Sequence, residues 1–126
     1  MRYGPLLLLL LCVEVTAHQW TPTYPEFRLS YIGGIHTTDM KLYNNRGDVD
    51  YYKIQVFDGE FNPIKFAING GQSDVVNVPY KKTRTVSVYV PSEKKSTVVY
   101  VCSKSMILKE EGSASLLSSR ICSKVK

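Results

Sequence analysis

The stretch Arg84 to Val90, RTVSVYV, puts Val86, Val88 and Val90 on one side and Thr85, Ser87 and Tyr89 on the other. A two-residue period of this kind predicts a half-buried strand and excludes an amphipathic helix. Similar short runs recur along the chain. Glu26 to Ile32 alternates with Phe27, Leu29 and Tyr31 on one side, and Asp39 to Tyr43 with Met40 and Leu42 inward. Tyr51 to Asp58 does the same with Tyr52, Ile54 and Val56, and Pro63 to Ile68 with Ile64, Phe66 and Ile68. Val75 to Val78, cut by Pro79, predicts an edge strand or a strand end. Thr97 to Ser103 is dense in β-branched residues and suits burial on both faces. Ser115 to Lys126 closes the chain with Leu117, Ile121 and Val125 on one face.

Turn residues separate these runs at intervals of roughly 8 to 12 residues. Only Ile107 to Ser119 offers a helix any competition, and Gly112 with four serines depresses it. The expected fold is all-β: an immunoglobulin-like antiparallel β-sandwich of seven to eight strands. His18 to Pro25, with prolines at 22 and 25, is expected as an extended N-terminal arm.

The first 17 residues are expected to be a signal peptide. Arg2 supplies a basic start, Leu6 to Val13 an apolar run, and Val15-Thr16-Ala17 a small-residue cleavage site. The run is far short of the roughly 20 residues that span a bilayer, so no membrane span is expected. Cys12 raises a lipoprotein alternative, but Leu11 stands where a lipidation signal wants a small residue. Residues 18–126 then form one domain, since roughly 110 residues sustain one modest core. A periplasmic or secreted domain meets oxidising conditions, so Cys102 and Cys122, the cysteines left after cleavage, are expected to pair.

Catalysis has little to stand on. His18, at the expected new N-terminus, and His36, in an expected turn, both read as surface residues without ligands at metal spacing. No nucleophile elbow or phosphate loop occurs. Asp48, Asp50 and Asp58 match no calcium-loop spacing. The chain reads as a non-enzyme with no cofactor and no metal. Its net charge is +5, but Lys81, Lys82, Arg84, Lys94 and Lys95 lack the aromatic interleaving of a nucleic-acid face and read as solvated turns.

The succession FRLSYIGG, MKLYNN, YYKIQVFD, VPYKKTRTVSVYVP, YVCS and SRICSKVK resembles the N-terminal domain of the periplasmic pilus-assembly chaperones, the PapD-like family. Cys102 and Cys122 match its subgroup with a disulfide between strands F and G. Such chaperones lay strand G along an incomplete subunit, while a basic pair anchors the subunit's C-terminal carboxylate. The resemblance places the arginine of that pair at Arg28 and its lysine at Lys124 or Lys126. It places the donor face at Leu117, Ser119 and Ile121. Taken alone, Arg28 either reaches solvent or meets an anion.

The sequence departs from the family where strand G leads into a second domain, because it stops at Lys126, and it lacks the proline signature after strand F. The partner implied is a pilus or envelope subunit. The alternative is a structural or secreted interaction module that self-associates through sheet edges or its arm, with Trp20 and Tyr24 as the exchanged residues. A third reading, a basic domain for polyanions, predicts binding that weakens steeply with salt.

Overall fold

The computed structural model describes residues 18–69, 73–106 and 119–126. The expected signal peptide and residues 107–118, Leu117 among them, lie outside them. Among the described residues there are nine strands: β1 (Gln19–Thr21), β2 (Arg28–Leu29), β3 (Ile35–Tyr43), β4 (Tyr51–Phe57), β5 (Ala67–Ile68), β6 (Val75–Asn77), β7 (Thr83–Pro91), β8 (Tyr100–Met106) and β9 (Arg120–Lys124). They form two antiparallel sheets. One has the order β1-β3-β7-β5 with β2 also on β3, and the other the order β6-β4-β8-β9. This is the immunoglobulin-like sandwich that the alternating runs predict.

The strongest alternations build the core. Met40 and Leu42 of β3 and Val86, Val88 and Val90 of β7 face Tyr52, Ile54 and Val56 of β4 and Val101 of β8. All are essentially inaccessible to water, and burying each side chain contributes about 1.5–3 kcal/mol before chain entropy is subtracted. As expected, β6 is an edge strand. The turn after β3 is fixed by Asn44, whose Nδ2 donates to the carbonyls of Val49 and Val78 while its Oδ1 accepts from Arg46 N–H and from the Tyr52 hydroxyl. Each of these four bonds satisfies a group that burial would otherwise leave unpaired.

Four expectations are corrected. The run Glu26 to Ile32 holds only the two-residue β2, with Phe27 buried but Leu29 and Tyr31 exposed, the latter 92%. Ser30 bends the chain there: its Oγ accepts from Ile32 N–H and donates to the Ile35 carbonyl, and Gly34 takes a positive φ of 78°. The run from Thr97 starts late, since Ser92–Thr97 is a 3-10 turn and β8 begins at Tyr100. His36 lies within β3, where Nδ1 meets Ser92 Oγ at 2.7 Å. His18 is not a surface residue either, being 2% exposed.

His18 is enclosed by Tyr52, whose ring centroid is 4.6 Å away, and by serines of β8 and its neighbour. Its Nε2 reaches the Ser103 carbonyl at 3.2 Å and Ser103 Oγ at 2.8 Å, and Ser119 Oγ lies 3.3 Å from Nδ1. A carbonyl only accepts, so Nε2 carries the proton and Nδ1 is the acceptor. Burial pushes this imidazole down to about 4; the Ser103 carbonyl opposes the shift, and the nearby Arg46 charge adds to it.

Candidate binding edge on the last strand

β9 pairs with β8 alone inside its sheet, so its other side is a sheet edge. Such an edge presents unpaired backbone groups, a template for a further strand. The register decides which groups those are. Cys102 stands opposite Cys122, flanked by Lys104 opposite Arg120 and Tyr100 opposite Lys124. The two cysteine Cα atoms are 4.0 Å apart, the close spacing of a pair that exchanges no backbone hydrogen bonds. The residues between, and those beyond, turn towards β8: Ser105 N–H donates to the Ser119 carbonyl, and Val125 N–H to the Val99 carbonyl. Arg120, Cys122 and Lys124 therefore aim their N–H and C=O groups outward.

Half of that outward row is covered. Lys124 N–H donates to the Thr23 carbonyl at 3.1 Å and Lys126 N–H to the Pro25 carbonyl at 2.9 Å. Ser123 Oγ adds a bond to the Pro22 carbonyl at 2.7 Å. The residue numbers on both sides rise together, so residues 22–25 run parallel to β9. The arm is thus docked on its own chain. β1 at its start pairs with β3, and Trp20 is buried with its indole N–H on the Val101 carbonyl at 2.9 Å. Arg120 and Cys122 have no backbone partner on the outer side among the described residues.

The disulfide between Cys102 and Cys122 is formed, as expected, and ties the open part of β9 to its neighbour. Ile121 and Val125 point inward and pack, half-buried, against the core. Ser119 uses its N–H on Ser105 Oγ and its hydroxyl near His18. Arg120 is exposed and lies over the Phe57 ring at 5.4 Å. Lys124 and Lys126 are exposed, and among the described residues neither has a carboxylate partner.

Arg28 lies on the other sheet, opposite Thr37 of β3. Its Nη2 is 3.3 Å from Asp39 Oδ2, with the two side chains 59% and 49% exposed. Ser87 Oγ donates to the other carboxylate oxygen at 2.7 Å. That bond first, against some desolvation, and then the guanidinium hold the Asp39 carboxyl below its ordinary value. An exposed pair of this kind contributes no more than about 1 kcal/mol, so Arg28 is free to exchange its partner for a stronger anion. The structure thus brings Lys124, Lys126 and the arm together, and sets Arg28 three residues beyond the Pro25 carbonyl.

The role of the arm was not readable from residue types. Its contribution to the β9 edge is three backbone carbonyls, which any sequence supplies. The prolines at 22 and 25 were the one signal, since a chain barred from donating hydrogen bonds there still accepts them.

No known protein family and no curated protein matches the sequence. Solved structures do match in shape. A chain from the Salmonella enterica SafA pilin in complex with the SafB chaperone superposes with a TM-score of 0.63 at 13% identity, over 90% of this chain and 55% of that one. The chain therefore spans about half the length of that relative. The ASH/PapD-like domain 7 of human CEP192 superposes with a TM-score of 0.52 at 11% identity, over 87% of this chain and 82% of that one. Identities this low carry the fold and not the activity. The described residues form an immunoglobulin-like β-sandwich similar in shape to both of these chains.

Proposed function

We propose that this chain is an exported, chaperone-like binding protein that recognises a pilus or envelope subunit by β-strand pairing along β9. The observation that carries the reading is the outward row of Arg120 and Cys122 backbone groups, open on a strand stapled to β8 by a disulfide. An extended peptide that adds to such an edge gains main-chain hydrogen bonds, and its alternate side chains set specificity. The likeness to a chain from a pilin–chaperone complex supports the same reading. In this reading the leader of residues 1–17 delivers the chain to the periplasm or outside the cell, where the disulfide forms. Of the expected donor face Leu117, Ser119 and Ile121, Ile121 packs on the core and Ser119 bonds to Ser105, so Leu117 is the residue left to carry it. Arg28, with Lys124 or Lys126, anchors the partner's terminal carboxylate through charge-assisted bonds.

Co-purification from the native envelope tests it. Arg28→Ala leaves the unfolding midpoint nearly unchanged, because it removes only an exposed ion pair, yet abolishes recovery of the partner. Ile121 packs on the core, so the donor face is probed at Leu117, where Leu117→Asp is expected to have the same effect. Full recovery of the partner with both variants contradicts the proposal.

The self-associating alternative draws on the same arm. In this structure the arm closes onto its own sheet, and a swapped dimer rebuilds those contacts between copies.

A further inference from the structure

Residues 22–25 occupy the half of the β9 edge that a longer incoming strand needs. The cover is built from three bonds: Lys124 N–H to Thr23, Lys126 N–H to Pro25, and Ser123 Oγ to Pro22. On either side of it the chain is held. Trp20 before it and Phe27 after it are buried, and β1 is zipped to β3 over three residue pairs. Between these anchors, Thr23 and Tyr24 are exposed, Tyr24 by 63%. The segment is thus fastened at both ends and held to β9 by few bonds in the middle.

We propose that residues 22–25 are an intramolecular strap that competes with the partner for β9. This inference rests on the strand-pairing function proposed above and adds its control. With the strap closed, an incoming strand finds, among the described residues of this edge, the backbone groups of Arg120 and Cys122. When the strap lifts, Lys124 and Lys126 offer their N–H groups as well, and the pairing extends to the basic end of the strand. The strap also explains how the free protein limits self-pairing, since an uncovered edge of this length is an aggregation hazard.

The test uses the full chain and a fluorescent synthetic peptide of alternating valine and threonine as the incoming strand. Ser123→Ala removes one strap bond and no edge donor. A single net hydrogen bond corresponds to roughly three- to tenfold in an equilibrium. Exchange of the Lys124 and Lys126 amides accelerates by about that factor, and the peptide binds tighter by the same factor. Val125, bonded to Val99, keeps its protection. Lys124→Pro frees the strap too, but deletes an N–H that the peptide needs. Proline is tolerated where the missing N–H faces away from the neighbouring strand, so this variant folds without gaining affinity. Faster exchange with unchanged peptide affinity in Ser123→Ala overturns the strap and leaves strand pairing intact. If neither the wild type nor Ser123→Ala binds the peptide, the strand-pairing reading fails and the strap's role as competitor fails with it.

Discussion

Replacing Cys102 and Cys122 together by alanine lowers the thermal unfolding midpoint by about 15 °C. The disulfide closes a loop with a sequence separation of 20, and cross-linking a loop of this size stabilises by about 3 kcal/mol in the chain-entropy account. For a domain of about 110 residues, each kcal/mol moves the midpoint by roughly 4–6 °C. The effect is expected at the full size because β9 has few other fastenings. It pairs with one strand over five residue pairs, and among the described residues its outer backbone groups bond only to the strap. Calorimetry of the double variant checks this, and a shift below about 3 °C contradicts the role given to the bridge. Binding is expected to suffer beyond the loss of stability, because an unclamped edge frays before it meets a partner.

Acidification destabilises the fold through His18. Its native value, pushed down to about 4, lies below the ordinary 6.5 of the unfolded chain. Above pH 6.5 both states are neutral there and the group has no effect on stability. As the pH falls from 6.5 to 4 the unfolded chain takes up a proton that the native protein refuses, so stability drops by up to about 1.4 kcal/mol per pH unit. The total approaches 3 kcal/mol and levels off below pH 4, where the native imidazole is charged too. Denaturant titrations at pH 7, 5.5 and 4 measure the slope, and His18→Asn is expected to remove most of it. A wild-type slope that persists unchanged in His18→Asn contradicts the buried, neutral assignment.

Much of the fold was legible because its central strands obey one rule. β3, β4 and β7 alternate over most of their length, and Met40, Leu42, Tyr52, Ile54, Val56, Val86, Val88 and Val90 all face the core. The rule fails where a strand is short. β2 spans two residues, so the alternation of Leu29 and Tyr31 with Phe27 has no sheet beneath it, and both side chains face water. It also fails where burial is assembled from distant parts. His18 is enclosed by Tyr52, Ser103 and Ser119, and nothing local to His18 in the sequence announces that.

The candidate site divides along the same line. The cysteine pair was legible, since Cys102 and Cys122 are the two cysteines outside the expected leader and so leave one pairing. The partly closed edge was not, because it depends on whether carbonyls of the arm fall in step with N–H groups a hundred residues later. Arg28 was legible as a position of interest, and the structure adds its resting partner, Asp39.

Amide hydrogen exchange on β9, with and without the captured partner, distinguishes pairing along β9 from pairing at another edge. Binding is expected to add protection at Arg120 and Cys122, whose outward N–H groups have no backbone partner among the described residues, while Ile121, turned towards β8, changes little. Unchanged exchange at Arg120 and Cys122, with new protection confined to another edge such as β5 or β6, contradicts pairing along β9.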